Sequence, residues 1–353
     1  MTSADKKLLT IVVPIYNVEK YLNECLDSFA LQTNQNFRVL LIDDGSKDSS
    51  GSIAKEYANK NPQLFSYVFQ ENKGLGGARN TGLDLVDSEY VMFFDSDDFM
   101  ASRAVENIYK TLEKHSNSVD IVFFNPVIYN MATNSYELWH DHGLMGEIFN
   151  GKDVLNPSET PRLMETEASV CRAIWRTEFL KSIGFKFIEH VHWEDVPPHF
   201  LVMHNAKSAV FMDYHGAYYY RFNSGNQITS GGGKSRLDME IIFNAILPYF
   251  KDKSWSRDEK VFMIAFLANY LFWSINVVDD EYLPQFINIC HKFFKKISFG
   301  LYLKFFFKAK NCLRDKIMIW FLKSRILYKK LRTRDGIKKN MKIFKRFKGA
   351  LKK

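Results

Sequence analysis

At 353 residues the chain is long enough for one large domain with an appendage, or for two domains. Its 46% hydrophobic and 25% charged content with nine prolines is a globular composition, which sets aside a non-globular chain. The net charge of +8 is divided: residues 290–353 hold 22 Lys and Arg against Asp315 and Asp335, a net of +20, which leaves −12 for residues 1–289. A basic tail behind an acidic body points to a polyanionic partner for the tail, either nucleic acid or an anionic membrane.

The start, MTSADKKLLTIVVPIYN, has too short an apolar run for a signal peptide and no small-residue cleavage site. No stretch approaches the roughly 20 apolar residues of a spanning helix. The expectation is a soluble protein, or one that lies on a membrane without crossing it. Cys25, Cys171, Cys290 and Cys312 stand far apart without metal-type pairing and read as reduced thiols in a cytoplasmic protein.

Leu9–Ile15 is a β-branched apolar run and reads as a strand. Val18–Ala30 has helical spacing, with Tyr21, Leu22, Cys25, Leu26 and Phe29 on one face. A second strand, Phe37–Ile42, runs into Asp43-Asp44-Gly45-Ser46, and Ser49 or Ser50 can cap the helix that follows to about Asn59. Phe65–Phe69 is a third strand, Leu75–Leu85 a helix behind a glycine-rich lead-in, and Tyr90–Phe94 a fourth strand stopping at Asp95-Ser96-Asp97-Asp98. Arg103–Lys114 is helical and Asp120–Asn125 a fifth strand. This alternation predicts an α/β fold with a mostly parallel sheet covered by helices on both faces, whose ligands bind outside the carboxyl ends of the strands. Residues 126–235 are less regular and read as short strands and loops that extend the sheet and form the acceptor side; Asn223–Lys234 reads as a flexible loop or a boundary. From about Leu237 onward the pattern is helical.

Three polar clusters fall at predicted strand ends: Pro14-Ile15-Tyr16-Asn17, Asp43-Asp44-Gly45-Ser46 and Asp95-Ser96-Asp97-Asp98. Asp95-x-Asp97 suits a divalent cation, because hard oxygen ligands match magnesium or manganese; a polar turn is the alternative, with Asp98 capping the next helix. Asp43-Asp44 reads as an acceptor for a nucleobase N–H or as a tight turn. Asn72-Lys73-Gly74-Leu75-Gly76-Gly77-Ala78-Arg79-Asn80 leads into a helix whose start favours anions, with spacing of neither a Walker loop nor a dinucleotide fingerprint. Glu194-Asp195, after His192-Trp193, reads as a general base for an acceptor hydroxyl or as a surface pair.

Taken in order, Ile11-Val12-Val13-Pro14-Ile15-Tyr16-Asn17-Val18-Glu19, Asp43-Asp44-Gly45-Ser46, Asn72-Lys73-Gly74 with Ala78-Arg79-Asn80-Thr81-Gly82, and Phe94-Asp95-Ser96-Asp97-Asp98 closely resemble family 2 of the glycosyltransferases, the GT-A fold. The resemblance is strong over about 8–125 and weak to about 230, and it lies with the branch that builds bacterial capsules, exopolysaccharides and wall polymers. It implies a Rossmann-like GT-A catalytic domain over 1–235, with a nucleotide half to 125 and an acceptor half beyond, followed by a helical, basic, amphipathic region over 236–353.

The resemblance also implies roles. Pro14, Tyr16 and Glu19 line the nucleotide pocket; Asp44 contacts the base, usually uracil; Arg79 supports base and ribose. Asp95 lies near ribose and metal, Asp97 is a metal ligand, Asp195 is the catalytic base and Arg221 meets the diphosphate. The implied reaction is transfer, with inversion, of a sugar from a UDP-linked donor to a hydroxyl of a growing, lipid-linked cell-surface glycan, with Mn²⁺ or Mg²⁺ as cofactor. It is placed at the inner face of the cell membrane. The chain departs from the family at Val196-Pro197-Pro198, where an apolar helix start is usual, and at Gln227. His190, His192 and His215 are the candidates for a third metal ligand.

In the tail, Ile317, Trp320, Phe321, Leu327, Tyr328 and Leu331 fall near one helical face, and Ile337, Met341, Phe344, Phe347 and Leu351 near another. Basic amphipathic helices of this kind lie in the membrane interface. Packing of those faces on the protein, or homo-oligomerisation, is the competing reading. A nucleic-acid-binding function through the tail is the rival for the whole chain, opposed by the acidic body and the four motifs, so no nucleic-acid partner is expected.

Overall fold

The computed structural model describes residues 7–222, 231–308, 313–324 and 326–337. The strands are β1 (Leu9–Ile15), β2 (Phe37–Asp43), β3 (Phe65–Phe69), β4 (Tyr90–Phe93), β5 (Ile121–Phe124), β6 (Val127–Asn130), β7 (Ser135–Leu138), β8 (Val154–Leu155), β9 (Ala173–Arg176), β10 (Ala209–Met212) and β11 (Tyr219–Phe222). The helices are α1 (Glu19–Ala30), α2 (Ser50–Lys60), α3 (Gly74–Leu85), α4 (Ala104–Lys114), α5 (His142–Phe149), α6 (Thr177–Ser182), α7 (Val196–Asn205), α8 (Met239–Lys251), α9 (Arg257–Val277), α10 (Leu283–Phe294), α11 (Phe299–Lys308) and α12 (Leu313–Lys323). They fall into two units, one of residues 7–160 and 168–222, the other of 161–167 and 231–337.

In the first unit an eight-stranded sheet runs β3-β2-β1-β4-β9-β5-β10-β8. The pairs β3–β2, β2–β1 and β1–β4 are parallel, as the alternating pattern predicts, and β5–β10 is parallel as well. Every β1 residue is buried, which is why the strand reads as an unbroken apolar run. Pro14 lies beyond the last β1–β4 pair, Val12–Phe93, where its missing N–H has one ladder fewer to break. The five apolar residues foreseen on α1 are all buried, each contributing on the order of 2 kcal/mol. Short strands from 126–235 do extend the sheet, but the sequence does not locate β9, which enters antiparallel between β4 and β5. A second sheet, β11-β6-β7, pairs β11 with β6 in parallel and β6 with β7 antiparallel.

Two local expectations need correction. Ser49 is the N-cap of α2 without a side-chain cap bond, and the Ser50 hydroxyl instead accepts the Val18 N–H at 2.8 Å, tying the β1–α1 turn to the β2–α2 turn. Asp98 caps no helix: α4 begins at Ala104, with Arg103 as its N-cap.

The second unit is helical. α9 opens with a capping box between Ser256 and Glu259. By length and composition it can cross a membrane, against the expectation that no stretch approaches a span, and 61% of its apolar window is buried in the structure. The 3₁₀ turn Pro161–Glu165 packs on it. The apolar face expected over residues 317–331 turns largely inward: Phe321 and Leu331 are buried, and Tyr328 stacks on His291 with centroids 3.8 Å apart. Trp320 is exposed, and the side chain of Ile317 lies outside the description. In the second predicted face Ile337 is buried, and Met341, Phe344, Phe347 and Leu351 lie outside the described residues, as do Cys312 and Gln227. Cys25, Cys171 and Cys290 are free thiols.

Candidate active site

The carboxyl ends of β2, β1 and β4 are neighbours in the sheet, so the three clusters predicted at strand ends meet along one edge. Pro14 is buried at the end of β1, while Tyr16 and Glu19 beyond it are exposed. The Glu19 carboxylate accepts the Ser49 N–H at 2.8 Å and its N–H donates to Asp48 at 3.1 Å. Glu19 therefore clamps the two turns together.

Asp43 and Asp44 are both buried but differ in what they hold. Asp43 spends its oxygens within the fold, accepting from the Ser46 N–H at 2.9 Å and the Tyr67 hydroxyl at 2.7 Å. Asp44 accepts the Gln70 amide at 2.6 Å and the Lys73 N–H at 2.8 Å, both on Oδ1. Its Oδ2 takes no hydrogen bond among the described residues, and a carboxylate oxygen so held suits a donor N–H on a ligand.

The glycines before Arg79 serve the chain's own packing. A Cβ on Gly74, whose φ is +74°, would lie 3.1 Å from the His190 nitrogen, and one on Gly76 would run into the Ile188 carbonyl. Asn80 completes the join, donating to the Phe187 carbonyl and accepting its N–H, both at 2.9 Å. α3 is thus fastened to the segment that leads into Glu194-Asp195.

Arg79, 3% exposed, closes this arrangement. Its Nη1 donates to Glu194 at 2.6 Å and its Nη2 to Asp95 at 2.7 Å. Burial opposes its charge, but Asp95 first, with Glu194 and Asp195, holds it protonated and raises its pKa. Burial raises the Glu194 carboxyl, and Arg79 opposes that rise. With both terminal nitrogens on acids, the guanidinium braces the site, where the resemblance implies a contact to base and ribose. Glu194 shows only as an acidic pair in the sequence; its role follows from a partner 115 residues away.

Asp95 also accepts from the Tyr218 hydroxyl at 3.3 Å. The Asp97 carboxylate takes no hydrogen bond from another side chain among the described residues, and its pKa is raised to about 6 by burial first and by Asp95 second. Asp98, 1% exposed, accepts the Arg221 N–H at 2.7 Å and the Tyr218 hydroxyl at 2.5 Å. Arg221 donates from Nε to the Asp97 carbonyl at 2.7 Å, meets Glu24 at 3.1 Å and lies over the Tyr21 and Phe99 rings at 5.1 and 5.0 Å.

The donor set suits a hard divalent cation: two carboxylates one residue apart, one without a side-chain hydrogen bond and resisting ionisation. No group of three potential ligands occurs among the described residues. His215 pairs instead with Asp213 at 3.8 Å, and His190 donates its N–H to the Lys73 carbonyl. Asp95 and Asp97 would leave the remaining positions to a ligand's oxygens and water.

Asp195 is the N-cap of α7. The two prolines that depart from the expected pattern fall in the first turn of α7, where a missing N–H breaks no intrahelical bond. Helix and site therefore survive the departure.

Residues 10–179 match the family model described as glycosyl transferase family 2. The glycosyltransferase GlyA of Streptococcus pneumoniae serotype 4 is 38% identical over 159 residues, 45% of this chain and 22% of the relative. An uncharacterized Bacillus subtilis glycosyltransferase, EpsJ, is 29% identical over 240 residues, 66% of each chain. The B. subtilis minor teichoic acid biosynthesis protein GgaB is 32% identical over 178 residues, 50% of this chain and 19% of the relative. The chain spans from about a fifth to about two thirds of the length of these curated relatives. Among solved structures, Staphylococcus aureus TarS 1–349 in complex with UDP-GlcNAc superposes with a TM-score of 0.71 at 21% identity, covering 92% of this chain and 90% of that one. That likeness shows the fold.

Proposed function

Because residues 10–179 are a family 2 glycosyltransferase domain of the GT-A type, we propose that the chain transfers a sugar, with inversion, from a UDP-sugar to a hydroxyl of a growing cell-surface glycan. The observation that carries this reading is the buried Arg79 fork, which ties Asp95 at the end of β4 to Glu194 beside Asp195. A candidate cation pair and a candidate base thereby share one edge of the sheet. TarS, named in a complex with UDP-GlcNAc, supports the choice of donor nucleotide.

In this reading Asp44 takes the base N–H on its open oxygen, with Pro14, Tyr16 and Glu19 along the neighbouring β1–α1 turn. Arg221, fixed by Asp98 and the Asp97 carbonyl, stands on the diphosphate side. Asp95 and Asp97 would hold Mn²⁺ or Mg²⁺, which when bound neutralises charge on the departing diphosphate. Asp195 accepts the proton of the acceptor hydroxyl as its oxygen bonds to the anomeric carbon and the bond to the diphosphate oxygen breaks. A single displacement inverts that carbon, so an α-linked donor yields a β-linked product. A nucleotide-release screen over UDP-sugars tests the reading: release occurs with manganese or magnesium, and Asp97→Asn lowers it at least about a hundredfold. Equal release by that variant, or release by no donor, removes the assignment.

The catalytic boundary near 235, the basic helical region beyond it and a lipid-linked acceptor belong to the same proposal. α11 supports contact with an anionic membrane: Phe299, Leu303 and Phe307 recur every four residues and are 60%, 41% and 82% exposed, with Lys295 and Lys296 exposed just before them. In this reading the enzyme works peripherally at the inner face of the cell membrane. The full chain is expected to co-sediment with vesicles containing phosphatidylglycerol, and Phe299→Asp/Phe307→Asp to release it. Unchanged binding by the variant means that α11 is not the contact.

A further inference from the structure

The sheet β11-β6-β7 carries aromatic rings that the chemistry above leaves unused. Its register places Tyr219, Arg221, Val127, Tyr129, Tyr136 and Leu138 on one face, because paired residues and residues two apart point the same way. The rings brace one another. Tyr129 stacks on Tyr136 with centroids 5.1 Å apart and 27° between planes, and Phe99 stacks on Tyr219 at 4.9 Å and 3°. Tyr136 meets Tyr219 edge-on at 5.7 Å, and Phe99 meets Tyr129 edge-on at 5.8 Å. Despite this order the outer rim is open: Tyr136 is 61% and Leu138 50% exposed. An ordered apolar surface left in water marks a binding face.

Its place in the fold says what it would bind. Phe99 lies two residues beyond Asp97 and exchanges backbone hydrogen bonds with Tyr219 at 3.4 and 2.8 Å. Arg221, on the same face, donates to the Asp97 carbonyl. The platform is therefore continuous with the acidic cluster at the end of β4. Asp44 belongs to the end of β2, and β1 separates the two strands. The nucleobase contact thus lies two strands away from the strand end that the platform adjoins, and the base has no need of these rings.

We infer that the Tyr129–Tyr136–Tyr219–Phe99 platform is a subsite for hexopyranose rings of the acceptor glycan. The C–H face of a pyranose carries slight positive charge and is apolar, which matches the negative face of an aromatic ring. Rings already stacked on each other lose little freedom when a sugar settles on them. The inference rests on the transferase reading and adds to it the side from which the acceptor enters.

Saturation-transfer NMR on the full chain with maltotetraose, cellotetraose and chitotetraose tests this without needing turnover. At least one tetraose is expected to bind, Tyr136→Ala to weaken it about tenfold, and Tyr136→Phe to keep it. Leu138→Glu provides a second variant that leaves the stack in place and blocks its rim. In turnover assays Tyr136→Ala is expected to raise the KM for that tetraose about tenfold and to leave the KM for the UDP-sugar unchanged. A protein that binds a tetraose through Tyr136 and turns over no donor supports the subsite and sinks the transferase reading alone. Binding of none of the three, binding indifferent to both Tyr136→Ala and Leu138→Glu, or an effect of these variants confined to self-association overturns the subsite.

Discussion

Asp195→Asn is expected to lower sugar transfer by about 10²–10⁴-fold, the usual contribution of a positioned general base, and to leave uridine-nucleotide binding unchanged. The substitution keeps the shape of the side chain and removes its basicity. Asp195 sits at the N-cap of α7 without a capping side-chain bond, so the substitution removes no cap hydrogen bond from the helix. Asp44, the proposed base contact, belongs to a different strand end. Two measurements separate chemistry from folding: the Kd for UDP by calorimetry, and single-turnover product formation at saturating donor. Transfer within threefold of wild type at an unchanged Kd would mean that another group takes the proton. A joint loss of binding and transfer would mean that the side chain holds the site's shape.

Much of the first 125 residues was legible in the sequence because their signals are local. Leu9–Ile15 and Phe65–Phe69 have the bounds that apolar runs predict, and the α1 face is the one its spacing gives. The rest depended on contacts between distant segments. β9 is four residues long, and only pairing with β4 and β5 makes it a strand. The glycines at 74 and 76 look like a ligand cradle until the 187–190 segment is brought against them. Asp98 follows a strand and precedes a helix, as a cap should, yet its oxygens go to Tyr218 and Arg221 more than 100 residues on. In the tail, spacing marks apolar positions but carries no sign of whether lipid or protein covers them, nor that α12 ends at Lys323 and a separate 3₁₀ turn carries Leu327–Leu331. Phe321 and Leu331 met protein.

The largest stability effect is expected at Arg79. Arg79→Met keeps a long apolar stem and deletes the charge that Asp95 and Glu194 share. Removing one partner of a buried ion pair costs about 3–5 kcal/mol, because the remaining charge is left in a poor solvent for it. Here two acids lose their partner at once, one of them with its side chain only 7% exposed. Against a typical stability of about 5–15 kcal/mol, urea denaturation is expected to show a loss near the top of the single-substitution range. Arg79→Lys should recover only part of it, since one ammonium cannot fork to two carboxylates as a guanidinium does. Glu194→Gln placed in the Arg79→Met background should recover part as well, because it removes one of the stranded charges. That non-additivity identifies the fork as the cause. If Arg79→Met is as stable as wild type, or if the double variant is simply additive, the fork does not hold the Asp195 segment to β4, and the proposed meeting of cation pair and base loses its support.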